Sequence, residues 1–124
     1  CATFVPEFVS EEMRLQIDGL ETAPVMVFDT QQKEPFAEPV KGLKLPSYTE
    51  VVDHIDYMVK VAGIDHVGLG SDFGVIGFTP IGLEDCSKFP VLTGEMLSRG
   101  YSDADVRKVL GGNVLRVMKD VIGQ

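Results

Sequence analysis

The sequence contains little of what builds a metal or disulfide framework. Its 124 residues include two cysteines, two histidines and no tryptophan. His54 and His66 are twelve positions apart, whereas two zinc ligands on one face of a helix are about four apart. No complete metal site is therefore expected from these residues alone. Cys1 and Cys86 are expected to be buried free thiols, although a disulfide between them stays open.

Long apolar runs and an excess of basic residues are also missing. No run approaches the ~20 apolar residues that cross a bilayer. No basic and apolar signal peptide opens the chain, so no compartment is assigned. Acidic residues outnumber basic residues 19 to 11, and the formal charge is −8. Binding to nucleic acid or to an anionic membrane surface is disfavoured, because both depend on a basic face.

The remaining composition is typical of one globular domain. Hydrophobic residues make up 44% and charged residues 24% of the chain, which excludes a disordered tail, a collagen-like repeat and a coiled coil. A length of 124 residues favours one domain at most. Cys1 lies in an apolar stretch and no initiator methionine precedes it, which predicts a piece of a longer chain or a processed product.

Hydrophobic periodicity predicts an α/β arrangement. The predicted elements are a strand over 1–5, a helix over 11–23, a strand or extended segment over 24–28, a surface loop over 29–46, a helix over 47–63, a strand over 66–72, a loop over 74–90, and helices that begin near 91, 102 and 113. The helix over 47–63 has the clearest signals, because Ser47 and Glu50 form a capping-box sequence and Gly63 is a typical C-terminal residue. Two confident strands cannot make a stable sheet alone.

Asp72 is the strongest candidate for a catalytic residue. It closes the strand predicted over 66–72, directly before a glycine-rich loop. In parallel α/β folds the side chains at the carboxyl ends of strands line the active site, and a carboxylate there can orient or deprotonate a water nucleophile. Asp is also common at turns, which its side chain caps. The residues alone leave both interpretations open.

Four other polar residues are interpreted as structural. His66 starts the predicted strand, at the end opposite Asp72, which favours a solvent-exposed or hydrogen-bonded role. His54 is predicted to anchor its helix through a buried hydrogen bond rather than to bind a metal. Glu84 and Asp85 are predicted to order their loop rather than to form a paired-carboxylate site, because adjacent carboxylates need not converge.

Linked motifs, in one order along the chain, make the sequence recognisable. They are DHIDY at 53–57, VGLGSDF at 67–73, PIGLEDCSKFP at 80–90, RGYS at 99–102 and LGGNVLRV at 110–117. Together they resemble the membrane (renal) dipeptidase family of the amidohydrolase superfamily. The resemblance is strong over 47–121, and CATFVPEFVS at 1–10 more weakly resembles a strand of the family.

The resemblance implies a fold. The family has a (β/α)8 barrel with two zinc ions, and a whole barrel needs ~250 residues. Residues 1–124 are therefore expected to form the C-terminal part of a single metallo-dipeptidase barrel domain, with strands seven and eight and the helices that follow. Residues 29–46 are expected to be a surface loop or insertion within it, placed over the mouth of the site or against a partner subunit.

The resemblance also implies a function. The complete protein is expected to be a zinc-dependent metallodipeptidase that hydrolyses dipeptides or related N-acyl amino acids through a hydroxide bridging two Zn²⁺ ions. The family's zinc ligands would precede residue 1, so these residues alone are expected to be inactive. Asp72 matches the family's catalytic aspartate, which contacts the bridging water and handles its proton.

The same resemblance predicts partners and shows where this sequence departs from the family's motifs. The expected partners are the rest of the barrel, preceding residue 1, and a small peptide substrate, while a homo-oligomer stays open. The alternative function is a non-catalytic α/β binding or structural module that has lost the metal chemistry. Two departures from the family's motifs bear on specificity and activity rather than on fold: Gly74 replaces the second aspartate of an SDFDG motif, and Thr3 replaces the asparagine of a VNF motif.

Overall fold

A computed structural model describes residues 1–18, 42–74 and 76–123. Within these ranges the elements are β1 (Ala2–Thr3), α1 (Pro6–Val9), α2 (Glu11–Asp18), α3 (Tyr48–Ala62), β2 (Leu69–Gly70), α4 (Phe89–Ser98), α5 (Asp103–Arg107) and α6 (Asn113–Ile122). Two 3₁₀ turns occur at Ile64–His66 and Cys86–Lys88, and a π-helical segment, Lys108–Gly112, joins α5 to α6. The segment predicted over 24–28 lies outside the described residues, as does most of 29–46.

The two strands pair in parallel, which is the arrangement expected of an α/β fold. Ala2 is opposite Leu69 and Thr3 is opposite Gly70, and helix α3 lies between the strands in sequence. The Ala2 N–H donates a hydrogen bond to the Gly68 carbonyl at 2.6 Å. The mixed helix and strand content agrees with the predicted α/β class at the level of a partial domain.

Both strands are shorter than predicted, for local reasons. Pro6 begins α1, and proline favours the first position of a helix because it has no N–H to leave unpaired. The residues before β2 form the 3₁₀ turn Ile64–His66. The prediction that His66 starts the strand was therefore wrong. Pairing is limited to two residues in each strand.

Helix α3 begins and ends where the sequence predicts. The Glu50 carboxylate accepts a hydrogen bond from the Ser47 N–H at 2.8 Å, as in a capping box. Gly63 adopts φ 87° and donates its N–H to the Val59 carbonyl at 2.8 Å. Only glycine takes this φ and ψ readily. The prediction that α3 ends at Gly63 is thus confirmed. The ψ of Gly63 is 152°, however, so this residue does not adopt the left-handed helical conformation.

The core packs one face of α3 against β1 and the later helices. Its buried members include Phe4, Val51, Val52, Ile55, Val67, Leu83, Leu92, Met96, Val106 and Val109. The apolar spacing in α3 predicts that face correctly. Burying a side chain of this size stabilises the fold by roughly 1.5–3 kcal/mol relative to exposure. The resulting core holds the strand pair, and therefore the ends of the strands, in place.

Asn113 connects α6 to the segment that leads into β2. The sequence favours Asn113 as a helix cap, but its side chain is buried, with 6% exposure. Its amide nitrogen donates to the carbonyls of Ile64 and Val67 at 2.7 and 2.8 Å. Ile64 begins the 3₁₀ turn and Val67 directly follows that turn, and buried carbonyls of this kind are generally paired with a donor. Asn113 therefore acts as a buried bridge between α6 and the chain before β2.

Helix α6 has an apolar face that the described residues leave in solvent. The most exposed large side chains on it are Leu115, Val121 and Ile122. Among the helices in the described ranges, none combines the length and the apolar character needed to cross a membrane.

Candidate functional site

Asp72 lies two positions beyond β2, at its carboxyl end, and its side chain is exposed. Its φ is 58°, the only positive φ of a non-glycine residue within the described ranges. Asp and Asn enter this conformation more readily than other L-residues, but it remains uncommon and is often found at functional sites. The Asp72 carbonyl accepts the Ile76 N–H at 3.3 Å, so its backbone takes part in the turn that follows.

The Asp72 side chain contacts the other strand rather than the turn. Thr3 Oγ1 donates a hydrogen bond to Asp72 Oδ2 at 2.6 Å, across 69 residues of sequence. The parallel register explains the contact, because Thr3 is opposite Gly70 and Asp72 follows shortly after. Within the part of the chain that the structure describes, no backbone N–H donates to this carboxylate. The geometry therefore differs from that of a side chain capping its own turn.

Thr3 is the functional candidate that sequence reasoning missed. It appears there only as a departure from a family motif. A signal was available, because polar residues at the same end of two parallel strands are brought together by their pairing. The predicted strand over 1–5 was too long to reveal that Thr3 lies at the last paired position of β1.

Three phenylalanine rings support the site from the core side. Phe73 directly follows Asp72, and its ring is 5.7 Å from that of the buried Phe4 in an edge-to-face arrangement. Phe89 completes the group, at 5.6 Å from Phe4 and 6.1 Å from Phe73. Such pairs add about 0.5–1.5 kcal/mol each beyond the burial of their area. The ring cluster thus holds the residues adjacent to both Thr3 and Asp72.

Two glycines, one in β2 and one directly before it, permit a close approach of other elements. A Cβ atom at Gly70 would lie 3.0 Å from Cys1 Cβ, and one at Gly68 would lie 3.2 Å from Val114 Cγ2. The space beside these glycines is therefore filled by Cys1 and Val114. Cys1 and Cys86 are both free and both exposed, so the prediction of buried thiols was wrong about burial.

Glu84 and Asp85 order their loop, as predicted. Glu84 Oε1 accepts the Gly82 N–H and Asp85 Oδ1 accepts the Ser87 N–H, both at 2.7 Å. The Gly82 N–H is the largest cause of a lowered pKa for the Glu84 carboxyl. The Ser87 hydroxyl, and then its N–H, lower the pKa of Asp85. These carboxylates are engaged locally and do not form a paired site.

The histidines do not contribute to a metal centre in the described residues. His54 is half-buried on α3 and His66 is exposed in the 3₁₀ turn. Neither side chain makes a hydrogen bond to another described residue, so the predicted anchor through His54 is not observed. Over 1–18, 42–74 and 76–123, no three His, Cys, Asp or Glu side chains come together as a metal site. These residues do not by themselves fit a zinc centre.

A second group of carboxylates surrounds Arg99, away from the strand ends. Arg99 Nη1 lies 2.6 Å from Asp53 Oδ1 and 2.7 Å from Asp56 Oδ2, and Nε lies 2.8 Å from Glu95 Oε1. The Tyr101 hydroxyl donates to the other oxygen of Asp56 at 2.6 Å. We call these five residues the arginine cluster. It joins the motif at 53–57 on α3 to the motif at 99–102 after α4.

The surroundings of Arg99 and Tyr101 in the arginine cluster favour their protonated forms. Partial burial lowers the pKa of Arg99, but the hydrogen bonds that its guanidinium donates to Asp56, Glu95 and Asp53 outweigh burial and raise the pKa above its ordinary value. Burial, and then the hydrogen bond to Asp56, raise the pKa of the Tyr101 hydroxyl well above its usual range. Arg99 and Tyr101 therefore both keep their protons near neutral pH, and their hydrogen bonds join α3 to the end of α4 and the residues after it.

Comparison with known proteins bears on the identity of the chain. The sequence model of the membrane dipeptidase family (peptidase family M19) matches residues 2–123. Dipeptidase aclJ of Aspergillus oryzae is 53% identical over 75 residues, which cover 60% of this chain and 18% of that protein. Dipeptidase verJ of Clonostachys rogersoniana is 46% identical over 76 residues, which cover 61% of this chain and 20% of that protein.

A solved structure is also similar. The crystal structure of the probable dipeptidase PvdM from Pseudomonas aeruginosa matches 92% of this chain and 34% of that chain, with a TM-score of 0.67 and 30% sequence identity. The matched segment spans about a fifth of the length of the curated relatives named above. On the family match over nearly all of its residues, this chain belongs to the membrane dipeptidase family, peptidase family M19.

Proposed function

We propose that the full-length protein containing this chain hydrolyses dipeptides or related N-acyl amino acids, and that Asp72 transfers a proton in the reaction. Membership of the membrane dipeptidase family, and relatives that are themselves dipeptidases, support the reaction class. Because the matched segment spans only about a fifth of those relatives, the activity is assigned to the full-length protein and not to these residues alone.

One observation carries the role of Asp72. Its carboxylate lies beyond the carboxyl end of β2, in a positive-φ conformation, and is held by Thr3 of the neighbouring parallel strand. A residue kept in an uncommon backbone conformation, with its side chain turned to an adjacent strand end, is typical of functional positions in parallel α/β folds.

Asp72 can act as a general base and then as a general acid. With Oδ2 engaged by Thr3, Oδ1 is free within the described residues to accept a proton from an attacking water. The protonated carboxyl can then deliver that proton to the nitrogen of the leaving amine as the peptide bond breaks. Residues preceding residue 1 would hold the two zinc ions of the family, whose chemistry when bound would be to polarise the scissile carbonyl and lower the pKa of the water.

We also propose that β1 and β2 correspond to strands seven and eight of a (β/α)8 barrel. Their parallel pairing and the position of α3 between them in sequence support this assignment. Similarity to the probable dipeptidase PvdM over 92% of the chain supports it as well. Residues 1–124 would then form the C-terminal part of a single barrel domain.

In that arrangement the rest of the barrel is the main partner of this chain. The exposed apolar side chains of α6 are suited to contact with further helices, because isolated faces of this kind are unfavourable in water. Residues 29–46, of which 42–46 are described, are proposed to be a loop within that domain, over the mouth of the site or against a second subunit.

Substitution of Asp72 tests the proposal. In the full-length protein, Asp72→Asn should retain fold and metal content but lower turnover by ~10²–10⁴-fold, the range for loss of a general base. KM should change far less, because the carboxylate acts mainly in the transition state. Asp103→Asn, at an exposed carboxylate in the first turn of α5, is the control and should leave turnover unchanged.

The results separate the proposal from its alternatives. Normal turnover in Asp72→Asn, with metal content confirmed, would remove the proton-transfer role. A well-folded wild-type protein that cleaves no member of a panel of dipeptides and N-acyl amino acids would instead favour the non-catalytic module.

A further inference from the structure

We propose that Thr3 is a positioning residue that fixes the Asp72 carboxylate for proton transfer, an inference that rests on the proposed role of Asp72. The two side chains are joined by a hydrogen bond of 2.6 Å between Thr3 Oγ1 and Asp72 Oδ2. Asp72 is exposed, so a contact of this kind restricts a side chain that would otherwise rotate in solvent.

The direction of the Thr3 hydroxyl proton follows from its neighbours. The Val5 N–H donates to Thr3 Oγ1 at 3.1 Å and so occupies one of its lone pairs. A hydroxyl has a single proton to donate, and an ionised carboxylate can only accept. The proton of Thr3 is therefore directed at Asp72 Oδ2. The two hydrogen bonds therefore run in one direction, from the Val5 N–H to the Thr3 hydroxyl and from that hydroxyl to the Asp72 carboxylate.

The Thr3 hydroxyl is presented by a strand that is anchored in the core. Thr3 is the last paired residue of β1, opposite Gly70, and the next residue, Phe4, is completely buried. Phe4 also contacts Phe73, the residue that follows Asp72. Both partners of the hydrogen bond are thus attached to the same core, which keeps the distance between them short.

The two carboxylate oxygens of Asp72 have different contacts and are therefore suited to different roles. Thr3 engages Oδ2, and Oδ1 makes no hydrogen bond within the described residues. The carboxylate plane is thereby oriented with one oxygen held and one oxygen available for water. A positioning residue of this kind contributes to catalysis by holding a productive geometry, not by contacting substrate.

A merely structural role for Thr3 is the competing explanation. In that case the hydroxyl would join the strand ends, and its loss would lower stability by an amount that does not depend on the chemistry of Asp72. In a positioning role, its loss lowers kcat, and the loss disappears when Asp72 no longer functions as a base. A double-mutant cycle distinguishes the two explanations.

The experiment measures kcat and KM for the full-length metal-loaded protein with a dipeptide substrate. Thr3→Val, which replaces the hydroxyl by a methyl group of similar size, should lower kcat by ~10-fold or more with little change in KM, as expected for a lost hydrogen bond to a charged group. Thr3→Ser, which keeps the donor, should stay within ~3-fold of wild type. Thr93→Val, at a threonine on α4, is the matched control.

The decisive variant combines Thr3→Val with Asp72→Asn. Its kcat should equal that of Asp72→Asn alone. Independent, multiplicative losses in the double variant, or wild-type kcat in Thr3→Val while Asp72→Asn is impaired, would overturn the positioning role and leave the role of Asp72 intact. Wild-type kcat in Asp72→Asn would overturn the proposed function itself. If Thr3→Val does not fold, Thr3→Ala takes its place in the same cycle.

Discussion

Two sets of carboxylates in this chain lie in opposite surroundings. In the arginine cluster, Asp53, Asp56 and Glu95 surround one guanidinium, at distances of 2.6–2.8 Å. At the strand ends, the Asp72 carboxylate has one partner among the described residues, the neutral Thr3 hydroxyl at 2.6 Å. Asp56 and Glu95 are partly shielded by neighbouring side chains, whereas Asp53 and Asp72 are exposed.

The backbone differs between the two sets as well. Asp53 and Asp56 lie within α3 and Glu95 lies within α4, in ordinary helical conformation. Asp72 has φ 58°, which is costly for most L-residues. The arginine cluster is therefore built from relaxed backbone and satisfied charges. The site at Asp72 combines a rare conformation with a carboxylate oxygen that accepts no hydrogen bond from the described residues.

The comparison shows how carboxylates within motifs can be sorted. Sequence motifs include both sets, at 53–57 and 67–73, and do not tell them apart. A carboxylate whose oxygens are held by a cation and a phenol is suited to joining helices. A carboxylate with a free oxygen beside a strand end is suited to moving a proton.

The largest effect on stability is expected from removing the cation of the arginine cluster. In the full-length protein, Arg99→Met should lower the free energy of unfolding by about 2–3 kcal/mol, because it leaves three carboxylates near one another without their shared cation. Turnover at a permissive temperature should stay close to wild type. Urea unfolding and steady-state kinetics measure the two quantities, with Arg107→Met on α5 as the control. A loss of kcat at full stability would contradict the division of roles.

The backbone strain at Asp72 can be measured with a pair of substitutions. Asp72→Gly and Asp72→Ala both remove the carboxylate, but only glycine adopts a φ of 58° without strain. We expect Asp72→Gly to be more stable than Asp72→Ala by about 1 kcal/mol. The same pair at Lys60, which is exposed on α3, should show the reverse order. Equal stability of the two Asp72 variants would argue against strain at this position.

The Tyr101 hydroxyl is expected to make the stability of the folded protein depend on pH. Its pKa is higher in the folded protein than the ordinary value of about 10. The folded state therefore holds the phenol proton more tightly, and this contribution is complete below about pH 10 and is lost as the pH rises through the folded-state pKa. Tyr101→Phe should be less stable than wild type by about 1 kcal/mol at neutral pH, and the difference should shrink above pH 10.

Measurement of that difference needs urea unfolding at several pH values. Tyr57→Phe, at an exposed tyrosine on α3, is the matched control and should follow wild type at every pH. If the gap between Tyr101→Phe and wild type stays constant from neutral to strongly alkaline pH, the phenol does not titrate in the way its surroundings imply.

The smallest effect on stability is expected from Asp53, the most exposed carboxylate of the arginine cluster. The Asp53 side chain is 65% exposed, whereas Asp56 is 39% exposed and accepts from both Arg99 and Tyr101. Asp53→Asn should therefore cost less than about 1 kcal/mol, as is usual for an exposed ion pair. Asp56→Asn should cost more. Thermal unfolding of the two variants, compared at the same ionic strength, tests whether the cluster is organised around Asp56.

Much of the local structure follows directly from the sequence. The Ser47 and Glu50 pair marks the start of α3, Gly63 marks its end, and the apolar spacing between them identifies the buried face. These signals are local, because caps and helical periodicity depend on residues three or four apart. The motifs likewise place the chain in its family without any coordinates.

Other features depend on residues that are distant in sequence. Asn113 looks like a helix cap but bridges to Ile64 and Val67, and the strand lengths depend on how Pro6 and the turn at 64–66 limit pairing. The arginine cluster joins positions more than 40 apart in sequence. No local pattern encodes such contacts, because they arise only when the helices pack.

The candidate site shows the same division. The sequence by itself singles out Asp72, since a carboxylate at a strand end before a glycine-rich loop is a local pattern, and the family motif agrees with it. Only the tertiary structure decides its partner, its φ of 58° and the direction of the Thr3 proton. The physical reason is that strand pairing brings together two positions separated by 69 residues, and the buried core, not either segment, determines where the two strands meet.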